Sequence, residues 1–109
     1  MHLYEPARMP ELAGSSPTNR PAVLVAENLP EARLVLFRIK PGQEVATHTS
    51  ASAVFISVLS GGGFVSGAEG ESPVRAGMVA AITAGEPHGM RAGDEELVLA
   101  ALIAPRPGG

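Results

Sequence analysis

The chain contains no cysteine, which excludes thiolate nucleophiles, disulfides and cysteine-ligated zinc sites. Aromatic residues make up only 4% of the chain, too few for a platform on which nucleic-acid bases stack. The net charge is 8 − 11 = −3, and the sequence has no basic run. Because binding to phosphates requires clustered Lys and Arg, we do not expect nucleic acid to be a partner.

Long apolar runs are also missing. No stretch approaches the ~18 apolar residues of a membrane-spanning helix, and no basic segment followed by an apolar one opens the sequence as a signal peptide would. We therefore expect a cytoplasmic protein with no membrane partner. The 109 residues suit one domain, and the hydrophobic share of 45% can form a core without disulfides.

The sequence instead has frequent chain breakers, with 13 glycines and 10 prolines between short apolar runs. Apolar residues nowhere keep a helical spacing over three turns, so we expect short strands and an all-β sandwich or barrel. Gly61, Gly62 and Gly63 are expected to form one hairpin turn. The predicted strands span residues 22–28, 33–40, 44–50, 53–60, 64–67, 73–77, 78–83, 88–92 and 96–104.

These signals divide the chain into three parts. Residues 1–20 are polar and proline-rich, and we predict an N-terminal arm that can contain a short β segment and take part in dimer contacts. Residues 21–104 are predicted to form the β-barrel. Residues 105–109, PRPGG, cannot continue a strand and are expected to be a loose tail.

The order of glycines and histidines resembles the two motifs of the cupin superfamily over about residues 33–104. The first motif, G-x5-H-x-H-x3,4-E-x6-G, and the second, G-x5-P-x-G-x2-H-x3-N, are matched at Gly42, His48, Gly61, Gly77, Gly85 and His88. The resemblance implies a small RmlC-like protein folded as a double-stranded β-helix, the cupin jelly-roll barrel. It also implies a pocket inside the barrel where three His and one Glu hold a divalent metal.

The chain departs from that ligand set at two positions. Ser50 occupies the second His position and Val54 occupies the Glu position. A neutral hydroxyl is a poor metal ligand, and a valine cannot ligate at all. The resemblance therefore implies a degenerate metal site with only His48 and His88, so no cofactor is expected to be required, although a divalent transition metal can still bind weakly.

Four other residues are candidates for substitute ligands. Glu44 shares strand parity with His48 but lies about 13 Å away along a strand, and Glu86 lies in a turn of unpredicted direction. Met90 should point inward, but a thioether suits Cu(I) rather than the metals usual for cupins. His2, from this chain or from a dimer partner, could fold over the barrel mouth.

Three functional hypotheses remain open. The first is a binding module whose pocket holds a small organic ligand, with an anion among the candidates, and is lined by His48, Ser50, Val54, His88 and Met90. In that case the two histidines would hydrogen-bond each other, Ser50 or water.

The second hypothesis is an enzyme. It would be a metal-dependent cupin of dioxygenase or isomerase type that uses His48 and His88 with a non-standard ligand set, or a metal-free acid–base catalyst. The third is a structural module that assembles as a homodimer through the arm.

Overall fold

The computed structural model describes residues 1–14 and 19–107. Within these residues nine strands form two antiparallel sheets, with the orders β1-β2-β9-β4-β7 and β3-β8-β5-β6. This arrangement confirms the predicted double-stranded β-helix. The strands are β1 (Ala22–Asn28), β2 (Arg33–Ile39), β3 (Glu44–His48), β4 (Ala53–Ser60), β5 (Gly62–Gly67), β6 (Gly70–Arg75), β7 (Val79–Ile82), β8 (His88–Ala92) and β9 (Leu97–Ala104).

Strand β9 lies in the middle of the larger sheet, between β2 and β4. Its residues 97–101 are all buried, because one face points into the barrel and the other is covered by the arm. A strand covered on both faces has a continuous apolar run rather than an alternating one. This explains why LVLAALIA forms a strand although leucine and alanine also favour helices.

The barrel interior has a packed end and an open end. At the packed end, Ile39, Leu97 and Leu99 are fully buried, and Val58 and Ala92 pack with them. Toward the open end the same strands line a cavity. The hydrophobic core therefore fills one end of the barrel and leaves space at the other.

The predicted three-glycine turn is wrong. Only Gly61, with φ 72°, lies between the strands, whereas β5 begins at Gly62. A side chain at Gly63 would bring its first carbon within 2.2 Å of the carbonyl oxygen of Arg91. Gly63 is therefore required by close contact between strands rather than by a turn.

The arm also differs from its prediction. Instead of a β segment, residues Pro6–Arg8 form a 3₁₀ turn and Met9–Ala13 form a short helix, α1, while residues 15–18 lie outside the described part. Met9 is buried against Leu36 and Ala100 on the outer face of β2 and β9. A five-residue helix is too short to show a helical period in the sequence, which is why the pattern missed it.

The arm is fixed by Arg38 of β2. Its Nη1 donates hydrogen bonds to the carbonyl oxygens of Gly14 at 3.0 Å and Pro10 at 3.4 Å. Its Nε donates to the carboxylate of Glu96 at 2.8 Å. The arm thus packs on its own barrel, and a role in dimer contacts stays a prediction.

The first residues of the predicted loose tail are anchored to the barrel. The Ser52 hydroxyl donates a hydrogen bond to the carbonyl oxygen of Pro105 at 2.5 Å, and Pro107 lines the cavity at the open end. Residues 108 and 109 lie outside the described part. No helix in residues 1–14 or 19–107 is long and apolar enough to cross a membrane.

Candidate functional site

The cavity at the open end has a volume of about 350 Å³ and opens to solvent. Its walls are mainly apolar, and both sheets contribute to them. The polar groups are two histidines and two hydroxyls, and no Asp, Glu, Lys or Arg is among the described lining residues. The lining consists of Phe37, His48, Thr49, Ser50, Ala51, Val54, Ile56, His88, Met90, Ala101, Ile103 and Pro107.

All five residues that the sequence predicted for a pocket line this cavity. His48 ends β3, Ser50 follows in the next loop, and Val54 belongs to β4. His88 and Met90 are alternate residues of β8, so both point to the inner face. Binding of a ligand by these residues stays a prediction.

His48 and His88 meet across the β3–β8 ladder. They are direct strand partners, and their ring centroids lie 4.3 Å apart with the planes tilted by 58°. His88 is 3% exposed, whereas His48 lies at the exposed rim. The pair therefore forms one polar corner of a mainly apolar space.

Each ring is oriented by a backbone carbonyl two residues earlier. The Nδ1 atom of His48 lies 2.9 Å from the carbonyl oxygen of Ala46, and that of His88 lies 2.9 Å from the carbonyl oxygen of Glu86. Because a carbonyl oxygen only accepts, each Nδ1 must carry the proton, and in a neutral imidazole Nε2 is then an acceptor. Among the described residues neither ring hydrogen-bonds the other or Ser50, and a hydrogen bond to water stays a prediction.

A β-bulge brings His48 into the cavity. Val45 pairs with Met90 and His48 pairs with His88, so three steps along β3 correspond to two along β8. The extra residue turns both Val45 and His48 inward and leaves Glu44 exposed, opposite Arg91. The predicted parity of Glu44 with His48 is therefore wrong, because strict alternation does not hold across a bulge.

Two other candidate ligands lie outside the cavity. The Glu86 carboxylate accepts hydrogen bonds from the backbone N–H groups of Ala68 at 3.3 Å and Thr83 at 3.4 Å. Its side chain thus stabilises neighbouring turns, while its carbonyl orients His88. His2 contacts Glu27 of β1 and does not cover the mouth of its own barrel, and coverage by His2 of a dimer partner stays a prediction.

The donor set does not fit the four-ligand metal centre that the cupin resemblance implies. In residues 1–14 and 19–107 no group of three or more His, Cys, Asp or Glu side chains could hold a metal ion. Ser50 Oγ instead accepts the backbone N–H of Ser52 at 3.1 Å. Protein metal centres of this type use at least three strong ligands, and here two imidazoles are present.

Sequence reasoning missed much of the apolar wall. Phe37 and Ile103 both line the cavity, and both follow the inward alternation of their strands. Alternation could have identified them as inward-facing. It could not have shown that they lie at the open end, because that depends on where the core stops filling the barrel.

The fold and the site together define a jelly-roll domain with an internal cavity at one end. The family model described as "Cupin domain" matches residues 35–103, most of the chain. The chain belongs to the cupin family. The comparison with curated proteins found no match.

Solved structures similar to this chain support the assignment. TT1209 from Thermus thermophilus is 28% identical, with a TM-score of 0.87, over 98% of this chain and 100% of that one. An RmlC-like cupin protein from Desulfovibrio desulfuricans is 28% identical, with a TM-score of 0.73, over 79% and 83% of the two chains.

A third structure supports the fold alone. An uncharacterized protein with a double-stranded β-helix domain from Klebsiella pneumoniae is 23% identical, with a TM-score of 0.83, over 100% of this chain and 94% of that one. The double-stranded β-helix fold is thus shared with that protein.

Proposed function

We propose that this cupin binds a small organic molecule in the cavity at its open end, without an obligatory metal. The observation that carries the proposal is the polar corner formed by His48 and His88 in a mainly apolar cavity of about 350 Å³. Small-molecule sites are typically concave and apolar, with volumes of roughly 300–1,000 Å³ and a few polar groups that fix orientation.

The absence of a metal requirement is supported by the donor set. Val54 at the position of the missing carboxylate contributes only apolar surface to the cavity wall. A pocket with two imidazoles retains hydrogen-bonding groups for a ligand but lacks half of the expected metal ligands. A metal-dependent enzyme of dioxygenase or isomerase type that uses His48 and His88 with a non-standard ligand set is the competing proposal. The dependence of ligand binding on metal distinguishes the two.

The proposal can be tested by filling the cavity. Ala101 lies on the inner face of β9 and lines the space, so Ala101→Leu should place three additional carbons in it. A fragment screen by ¹H–¹⁵N NMR is expected to yield ligands that shift the amides of His88 and Met90 in the wild type. These shifts should be lost in Ala101→Leu.

The matched control is Ala81→Leu. It makes the same chemical change at an exposed position of β7, so ligand binding should stay as in the wild type. Two outcomes would contradict the proposal. In the first, fragments bind Ala101→Leu and the wild type with equal affinity, and in the second, the screen finds no fragment that binds in the cavity.

We also propose that the protein is a homodimer, with the arm among the contact surfaces. The arm keeps Leu3 and Leu12 exposed, at 83% and 51%. Deleting the arm would also uncover Leu36, which it covers, so the double substitution Leu3→Ser and Leu12→Ser is the cleaner test. Light scattering should show a dimer in the wild type and a lower molar mass in the variant, and an unchanged mass would remove these two leucines from the interface.

A further inference from the structure

The polar corner of the cavity presents hydrogen-bond acceptors. The Nδ1 atoms of His48 and His88 are each 2.9 Å from a backbone carbonyl oxygen. In the neutral rings this fixes the proton on Nδ1 and leaves both Nε2 atoms as acceptors. The group that complements them best is a donor, such as a hydroxyl.

The rest of the lining offers no cation for an anion. No Lys or Arg is among the described residues around the cavity, and the other polar side chains are the hydroxyls of Thr49 and Ser50. When both imidazoles are neutral, a carboxylate in such apolar surroundings has no charged partner, and burying it is costly. This arrangement disfavours the anionic ligand that the sequence left among the candidates.

The opposite wall is suited to a compact apolar body. Phe37, Ile56 and Ile103 come from three neighbouring strands of one sheet, and Met90 closes the space from the other. An aromatic ring and an unbranched thioether both adapt to flat apolar ligands. The wall therefore favours a ligand with a large apolar surface, while the histidine pair favours a ligand with a hydrogen-bond donor.

We infer that the cavity takes an uncharged molecule in which a hydroxyl donor is attached to a compact apolar body, as in a simple phenol. The hydroxyl donates to Nε2 of His48 or His88, and the apolar body packs against the Phe37 side. This inference rests on the proposed function, since it names the ligand class of the same cavity.

Three probes with the same body separate the possible chemistries: 4-methylphenol, 4-methylanisole and 4-methylbenzoate. NMR titration is carried out at pH 8, where an ordinary imidazole is neutral. One additional hydrogen bond predicts that 4-methylphenol binds about five- to tenfold more tightly than 4-methylanisole. The benzoate should bind at least about tenfold more weakly than the phenol, because its charge would be buried without a partner.

Histidine variants connect the preference to the two rings. His48 lies at the exposed rim, so His48→Leu should fold and should lower the ratio of phenol to anisole affinity. Adding His88→Leu should bring that ratio to about one. His2→Leu is the matched control, because His2 contacts Glu27 outside the cavity, and it should leave the ratio unchanged.

Three other outcomes would overturn the inference, and each would reject a different part of it. Equal binding of phenol and anisole, with both excluded by Ala101→Leu, would remove the donor requirement and leave the binding function intact. Tightest binding of the benzoate would assign the cavity to an anion. Binding of none of the three would also reject the inferred class, and the fragment screen would then decide separately on the proposed function.

Discussion

The same strands of the barrel build both a packed end and an open end. On β9, Leu97 and Leu99 are fully buried at the packed end, whereas Ala101 and Ile103 line the cavity. On β8 the corresponding change is from Ala92 in the core to His88 in the cavity wall. The inner face of the barrel is therefore filled at one end and borders a cavity at the other, and the proposed function uses that cavity.

The difference separates two roles within one barrel. Side chains at the packed end are surrounded by other apolar groups, so they should carry most of the stability of the barrel. Residues at the open end face empty volume and should tolerate substitution better. This contrast can be measured with paired variants.

The largest expected effect is that of removing a core leucine. Leu99→Ala should destabilise the protein by about 3 kcal/mol, because the substitution removes buried methyl groups and leaves a cavity. Ile103→Ala at the open end should cost only about 1 kcal/mol, since its side chain is partly exposed and already borders free space. Urea unfolding of both variants checks the order, and equal losses would contradict the division of the barrel.

A smaller effect is expected when side chains are enlarged. Ala92→Leu at the packed end should destabilise by about 2 kcal/mol because the core must shift to accept it. Ala101→Leu extends into the cavity, so its free energy of unfolding should stay within about 1 kcal/mol of the wild type. A loss for Ala101→Leu as large as that for Ala92→Leu would show that the open end is not free to accept atoms.

The smallest expected effect concerns the pH dependence of stability and comes from an ion pair on the outer face of the barrel. Arg91 donates to both carboxylate oxygens of Glu71, at 2.8 Å and 2.7 Å, and these hydrogen bonds lower the pKa of Glu71. A folded-state pKa below the unfolded value means that the pair stabilises the protein above the ordinary range of a Glu. That contribution is lost as the pH falls through the lowered pKa.

Glu71→Gln should therefore flatten the acid side of the stability–pH curve. The change should be small, since both side chains are about 40% exposed, at 41% and 43%, and solvent screens such pairs. Glu69→Gln makes the same charge change two residues away and leaves the pair intact. Thermal unfolding between neutral and acidic pH measures both variants, and an equal flattening in the two would refute the role of the pair.

Much of the fold could be predicted because its signals are local. Each strand predicted from residue 22 onward has a counterpart, and the 73–77 prediction corresponds to β6, which starts at Gly70. The motif glycines Gly42, Gly61, Gly77 and Gly85 all adopt positive φ, which L side chains rarely do. Such positions are visible in a sequence as glycines at fixed spacing.

The candidate site was predictable in its members but not in its geometry. His48, Ser50, Val54, His88 and Met90 do lie around one cavity. The bulge in β3 that rotates His48 inward has no marker residue in EVATH. The carbonyl that orients His88 comes from a turn closed by the N–H of Glu86 donating to Thr83 at 3.1 Å, a contact that composition and spacing do not encode.

The central claim is that the cavity binds its ligand without a metal, and one measurement addresses it directly. Affinity for the best cavity ligand is measured by NMR or calorimetry before and after exhaustive dialysis against a chelator, with metal content determined on the same samples. The protein should contain less than about 0.1 equivalent of metal before chelation, and the Kd should be unchanged after it. Two results together would contradict metal-free binding. One is a stoichiometric metal that is lost in His48→Ala and His88→Ala. The other is ligand binding that disappears on chelation and returns when a divalent ion is added.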